Sequence, residues 1–248
     1  MKNYLVGAVR PVSTTWGYWK TQEEEQQALK GHEKYNEMYK LSRDSARKFL
    51  QGDWEEIKFI APVLDARLYQ IAQWYTIKEL WHREPCNILA MGADTLFMKP
   101  TEIFGQFKEM RMFNYTDPRQ HNEFEHYFND DIRYYPADMD PNVWAVGERR
   151  MGEWFTHEQA HWDWGQLVHN YQFWSQDIPA DDLLKPNLNW MAHNLRDLTP
   201  EIINWHELWN RCSLADANIV HFSGSRGAEQ TVATMQLVAE AIEKLQGQ

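Results

Sequence analysis

The chain has 248 residues, with 25 Lys and Arg residues against 36 Asp and Glu residues, and its formal net charge is −11. This acidic balance argues against nucleic acid or an anionic membrane surface as a partner, because both bind clustered Lys and Arg side chains. Two cysteines, a short N-terminal apolar run and the lack of any stretch with the ~20 apolar residues that a membrane helix needs predict a soluble cytoplasmic protein without a membrane span.

The first part of the sequence predicts alternating strands and helices. In chain order, the predicted elements are strand 3–10, helix 21–50, strand 55–60, helix 62–82 and strand 86–91. Gly52 suits the end of the first helix, and Pro62 suits the first turn of the second. This β-α-β-α-β order is typical of a parallel sheet that is covered by helices on both faces.

The rest of the sequence predicts a mixture of short elements. They are strands 110–115, 132–135, 142–146 and 217–222, and helices 151–174, 200–212 and 230–245. No internal repeat or linker separates them from the first part. We therefore predict one α/β domain over residues 1–248, with a mostly parallel twisted sheet flanked by helices and a mixed C-terminal half.

One candidate metal site is the H-E-x-x-H pattern formed by His157, Glu158 and His161. On a helix, this spacing places two imidazoles on one face beside a carboxylate, as in zinc peptidases. A third ligand with the usual spacing does not follow. The alternative is an amphipathic helix that carries partly exposed histidines.

A second candidate metal site pairs Asp94 with His221. Each residue comes where a predicted strand gives way to a loop, in MGADT and IVHFSG. Because strand ends can converge at one edge of a sheet, a carboxylate oxygen and an imidazole nitrogen could bind one cation there. Carboxylate ligands suit Mg²⁺ or Mn²⁺, and the imidazole favours Mn²⁺. A histidine at a strand end is also commonly structural.

Three segments, DARLYQ, CNILAMGADTLFMKP and IVHFSG, occur in this order along the chain. Together they resemble the metal-dependent nucleotide-sugar glycosyltransferases of the GT-A fold, and the glycogenin and lipopolysaccharide galactosyltransferase type in particular. Members of that group carry an Ala-Arg-Leu triplet, an Asp-x-Asp-Thr strand end and a late His-x-x-Gly loop. Here the matching positions are 66–68, Asp94-Thr95 and 221–224, so the similarity covers roughly residues 60–105 and 215–227.

The resemblance implies an enzyme that moves a sugar from a nucleoside diphosphate sugar, with UDP favoured over GDP, to a hydroxyl of a glycan or another acceptor. Residues 1–105 would form the nucleotide-binding half, and residues 106–248 the acceptor half with a C-terminal metal loop. Asp94 and His221 would bind Mn²⁺, with Mg²⁺ as the alternative. The implied nucleotide-binding residues are Ala8, Val9, Arg10, Tyr18, Arg67, Gly92, Ala93, Asp94, Gly224 and Arg226.

Two positions depart from the family pattern. Gly92 replaces the first acid of the Asp-x-Asp pair, and Gly227 replaces an expected lysine, although Arg226 lies beside it. A protein with such a site could bind a nucleotide or a carbohydrate without catalysis, which is a third interpretation beside the transferase and the zinc hydrolase.

An inverting transferase also needs a carboxylate base on the acceptor hydroxyl. Glu158 and Asp163 are the candidates by position. Beside them, Trp162, Trp164, Tyr171 and Trp174 could stack against an acceptor sugar, or they could belong to a tryptophan-rich core.

Overall fold

The computed structural model describes residues 1–9, 22–60, 66–114, 124, 126–155, 164–179, 182–193, 195, 197–222 and 228–246. The chain divides into two compact units, and each draws on three separate segments. Unit 1 comprises residues 1–8, 52–91 and 103–185, and unit 2 comprises residues 9–51, 92–102 and 186–248. The single domain over residues 1–248, with its division after residue 105, stays a prediction.

The elements below are numbered in chain order. They are β1 (Lys2–Val9), α1 (Gln22–Phe49), β2 (Glu55–Ile60), α2 (Ala66–Arg83), β3 (Cys86–Met91), β4 (Thr95–Phe97), β5 (Arg111–Met112), β6 (Ile132–Tyr135), α3 (Asn142–Phe155), α4 (Trp164–Trp174), β7 (Trp190–Met191), α5 (Pro200–Asn210), β8 (Ile219–His221) and α6 (Ala228–Gln246). Among the described residues, no helix combines the length and the apolar character needed to cross a lipid bilayer.

Unit 1 is built on a five-stranded sheet with the strand order β2-β1-β3-β6-β5. β1 and β3 run parallel, in a register that pairs Lys2 with Cys86 and Gly7 with Met91. β6 runs antiparallel to both β3 and β5. Every residue of β3 is buried, as its continuous apolar sequence predicts for a central strand. The α/β class is confirmed, and the antiparallel strands come from the second half of the chain.

Unit 2 contains a smaller sheet with the strand order β4-β8-β7. β4 pairs antiparallel with β8, and β7 pairs parallel with β8. Buried apolar residues from the strands and from α1 and α6 form the core of this unit, among them Met38, Leu96, Trp190, Val220 and Met235. Both cysteines of the chain are free thiols, and burial raises the pKa of Cys86 in unit 1 to about 11.

The strand predicted over residues 142–146 is wrong, because these residues begin α3. The prediction rested on the β-branched and aromatic residues of NVWAV. The segment before it, however, is a helix start: the Asp140 carboxylate accepts a hydrogen bond from the Asn142 amide at 2.9 Å, and Pro141 occupies the first turn. Val143 and Trp144 are then buried on one face of the helix.

Helix α3 packs against its neighbours at Gly147. A β-carbon at this position would lie 2.6 Å from the Trp74 indole and 2.7 Å from the Gln172 amide nitrogen. That amide is held in place, because it accepts a hydrogen bond from the Trp74 indole N–H at 3.1 Å and donates one to the Val143 carbonyl at 3.1 Å. Glycine at position 147 therefore permits the close approach of α2 and α4 to α3.

We expect Gly147→Ala to destabilise the protein by about 1–3 kcal/mol, since the methyl group would overlap two side chains that cannot move without losing hydrogen bonds. Gly152→Ala in the same helix is the matched control. No atom lies within 4 Å of the β-carbon position at Gly152, so this change should stabilise the helix by roughly 0.5–1 kcal/mol. Urea unfolding measures both, and equal effects would contradict the packing account.

A buried polar network in unit 1 centres on His169. Its Nδ1 lies 2.7 Å from the Asp130 carboxylate and 3.0 Å from the Arg133 guanidinium. Burial and the positive charge of Arg133 lower the pKa of His169 to about 4, although the Asp130 carboxylate acts in the opposite direction. The imidazole is therefore neutral in the folded protein at pH 7.

The stability of the protein should depend on pH through His169. Between about pH 6.5 and pH 4 the unfolded chain binds a proton at this residue and the folded chain does not. The contribution is therefore complete above pH 6.5 and is lost as the pH falls, by about 3 kcal/mol in total. Urea unfolding at several pH values tests this. His169→Gln should flatten the dependence, whereas a change at the exposed His82, His82→Gln, should not.

Candidate functional site

The two predicted metal ligands, Asp94 and His221, meet in unit 2. Asp94 directly precedes β4, and His221 is the last residue of β8. The antiparallel register pairs Thr95 with His221, and the Phe222 amide donates a hydrogen bond to the Asp94 carbonyl at 2.8 Å. As a result, Asp94 Oδ2 lies 3.7 Å from His221 Nε2.

The two side chains differ in their exposure. The His221 side chain is 1 % exposed, whereas the Asp94 side chain is 30 % exposed. The imidazole is thus held in the interior of the unit, and the carboxylate opens to the surface. A ligand arriving from solvent would meet Asp94 before His221.

The distance between the ligand atoms fits a shared cation. At 3.7 Å the Asp94 and His221 atoms are farther apart than a hydrogen bond requires. Two ligands that each lie ~2.1 Å from one ion are ~3–4 Å apart, so a single divalent cation can bind both. They belong to a group of side chains that could hold a metal ion. A carboxylate and an imidazole suit Mn²⁺ well.

Hydroxyl groups on α1 support the strand that follows Asp94. Thr95 is fully buried, and its hydroxyl donates to the Gly92 carbonyl at 3.0 Å and pairs with the Ser42 hydroxyl at 3.1 Å. One turn on, the Ser45 hydroxyl accepts a hydrogen bond from the Phe97 amide at 3.0 Å. These contacts fix the turn from Gly92 to Asp94 and therefore the direction of the Asp94 carboxylate.

The strand that carries His221 is supported on its other side. The Ala192 amide donates to the His221 carbonyl at 2.8 Å, directly after β7. The buried Asn210 side chain accepts from the Met191 amide at 2.7 Å and donates to the Met191 carbonyl at 3.0 Å. Helix α5 is thereby attached to β7, and β7 to β8.

Several predicted nucleotide-binding positions lie in the described part of the chain. Gly92 and Ala93 form the half-buried turn before Asp94. Ala8 and Val9 end β1, one residue or two beyond the pair of Gly7 with Met91. Arg67 lies in the first turn of α2, and its side chain is outside the described part of the chain.

The remaining predicted residues fall outside the described residues. These are the nucleotide-binding positions Arg10, Tyr18, Gly224 and Arg226, and the candidate bases Glu158 and Asp163. The zinc alternative, with His157 and His161, lies outside them as well. All of these assignments stay predictions.

Two rings of the predicted acceptor wall pack inside unit 1. Trp174 lies against Phe128, and its indole N–H donates to the His126 carbonyl at 3.0 Å. The Tyr171 ring contacts the Arg150 guanidinium at 3.7 Å from its centroid. For these two residues, the interpretation as part of the core describes the contacts. Trp162 and the side chain of Trp164 fall outside the described part of the chain.

The sequence analysis did not identify Ser42 and Ser45 as supports of the site. Their spacing of three residues on the buried face of α1 is the signal that could have found them, because buried hydroxyls on a helix need a partner. Which partner they have depends on the packing of α1 against β4, and the sequence of α1 does not reveal it.

No protein-family model matches the chain, and no curated protein matches it in sequence. Among solved structures, the fold is similar to the crystal structure of a glycosyltransferase involved in the glycosylation of the major capsid of PBCV-1. The alignment has a TM-score of 0.50, covers 95 % of this chain and 100 % of that chain, and shows 11 % sequence identity. The chain therefore has a GT-A-like α/β fold.

We expect Thr95→Val to destabilise the protein by about 1–3 kcal/mol, because the Gly92 carbonyl and the Ser42 hydroxyl would lose a buried partner. Ser42→Ala should cost less once Thr95 is already valine, since an apolar pair leaves fewer unsatisfied groups. A double-mutant cycle by urea unfolding should give a coupling energy of about 0.5–1.5 kcal/mol. Additive effects of the two changes would contradict a direct hydroxyl pair.

Proposed function

We propose that the protein is a metal-dependent glycosyltransferase that moves a sugar from a nucleoside diphosphate sugar to an acceptor hydroxyl. The observation that carries this proposal is the approach of Asp94 Oδ2 to His221 Nε2, at 3.7 Å, between two paired strands. The GT-A-like fold supports it, because the pair occupies the positions that the family resemblance assigns to the metal ligands.

In this proposal, Asp94 and His221 hold Mn²⁺, or Mg²⁺ as the alternative. Bound there, the cation would supply Lewis-acid stabilisation to the negative charge that accumulates on the departing nucleoside diphosphate. A protein with a net charge of −11 has no general positive potential for that purpose. The exposed carboxylate of Asp94 would orient the donor, and the buried imidazole of His221 would set the position of the site.

The remaining chain would supply the donor pocket. Gly92 and Ala93 would lie beside the nucleotide, together with the end of β1 at Ala8 and Val9 and with the positions Arg10 and Tyr18. Arg67, Gly224 and Arg226 would face the phosphates, and the two guanidinium groups would balance their charge. UDP is the nucleotide that the resemblance favours over GDP.

The acceptor hydroxyl would need a base only if the reaction inverts the anomeric centre. Glu158 and Asp163 are the proposed bases in that case. The proton would then move from the acceptor oxygen to the carboxylate as the new glycosidic bond forms and the bond from the sugar to the phosphate breaks. A retaining reaction would leave both carboxylates without that role.

Titration of UDP, GDP and CDP into the protein, with and without MnCl₂, tests the proposal by calorimetry. We expect one nucleotide to bind only when Mn²⁺ is present. Asp94→Asn should weaken this binding by about 100-fold, since it removes the charged ligand of the cation. Asp44→Asn is the matched control in the same unit: its carboxylate forms an exposed ion pair with Arg47, and its loss should leave the affinity unchanged.

Two results would contradict the transferase. Nucleotide binding without any hydrolysis of a nucleoside diphosphate sugar over long incubation would indicate a binding protein, as the glycine at position 92 in place of an acid allows. Stoichiometric zinc that is lost in His157→Ala, with no nucleotide binding, would indicate the hydrolase.

A further inference from the structure

Helix α5 exposes a cluster of apolar side chains on one face. Trp205 is 54 % exposed, Leu208 is 73 % exposed and Trp209 is 36 % exposed. Their spacing of three and four residues places them on the same side of the helix. Exposed apolar clusters of this kind commonly mark a binding site.

The two indoles form an ordered platform. Their planes are inclined by 24°, and their ring centroids are 5.7 Å apart. The His193 ring meets the edge of Trp209 at 5.9 Å, and the His206 ring meets Trp205 at 4.8 Å. Ring contacts on both sides restrict the rotamers, so a ligand that stacks here loses little side-chain entropy on binding.

The platform is attached to the interior of unit 2. The buried His206 lies 2.8 Å from the Ile202 carbonyl and 3.0 Å from the His193 carbonyl, and its ring stacks on the fully buried Trp190. The Trp190 indole N–H in turn donates to the Cys212 carbonyl at 3.0 Å. The exposed rings are thus the outer end of a stack that begins in the core.

The platform is also continuous with the candidate metal site. His193 follows Ala192, whose amide bonds the His221 carbonyl at 2.8 Å. His193 also interacts electrostatically with His221. A molecule that stacks on Trp209 and reaches past His193 would therefore approach the position where the proposed reaction takes place.

The chemistry of the platform selects a neutral, amphipathic ligand. Indole faces match the C–H faces of sugar rings, while the polar groups of His193 and the indole N–H groups match sugar hydroxyls. The exposed side chains at positions 205, 208 and 209 carry no charge, and a chain with a net charge of −11 disfavours an anionic partner.

We propose that Trp205, Trp209 and His193 form a binding subsite for a neutral oligosaccharide. Its role as the acceptor subsite rests on the proposed glycosyltransferase function, whereas binding of the oligosaccharide does not. The exposed ring of Trp205 would stack on a sugar unit distant from the reaction, and Trp209 with His193 would direct the chain towards Asp94 and His221.

An array of neutral and acidic oligosaccharides, followed by calorimetry with the best neutral ligand, tests the subsite. We expect Trp205→Ala and Trp209→Ala each to weaken binding at least tenfold without lowering the melting temperature by more than a few degrees. Leu208→Ala should change the affinity less than twofold, since it removes apolar area but no ring face. Tyr75→Ala, which removes an exposed aromatic ring from α2 of unit 1, is the second control.

The outcomes separate this inference from the proposed function. Asp94→Asn should abolish nucleotide binding that depends on Mn²⁺ and leave oligosaccharide binding unchanged. Absence of oligosaccharide binding by the unaltered protein, or unchanged binding in Trp205→Ala, would overturn the subsite even if the nucleotide binds. A dimer in sedimentation that both Trp205→Ala and Leu208→Ala dissociate would overturn it too, and would identify the face as a contact between two copies of this chain.

Discussion

The antiparallel pairing of β4 with β8 is the constraint on which the candidate site depends. Asp94 and His221 are distant in sequence, and neither would bind a cation firmly alone. The register that pairs Thr95 with His221 places them 3.7 Å apart without any contribution from flexible loops. A site on paired strands is more precise than a site on loops, because the hydrogen bonds of the ladder limit backbone movement.

The elements around this pair reinforce it from two directions. On one side, hydroxyl groups of α1 bond to β4 through Thr95, and on the other, α5 is fastened to β7 through Asn210. Both supports use buried polar groups whose hydrogen bonds are specific in direction. The arrangement therefore couples the helix that exposes the tryptophan platform to the strand that carries His221.

The many aromatic residues have two different roles. In unit 1, rings such as Trp74 and Trp144 are buried and pack edge to face, so their contribution is to the stability of the core. In unit 2, Trp190 is buried in the same way, but Trp205 and Trp209 on α5 remain exposed. Composition alone does not separate these roles, since the residue type is the same in both.

The sequence by itself determined the β-α-β-α-β order, the bounds of β2 and β3, and the two strand ends where Asp94 and His221 lie, because these features follow from local apolar patterns. Tertiary structure alone decided the distance between the two ligands, the hydroxyl support from α1 and the exposure of α5. Residues 142–146 show the limit, since a strand-like composition became a helix once Asp140 and Pro141 supplied its start. Local patterns describe one segment, whereas pairing register and packing depend on contacts between distant segments.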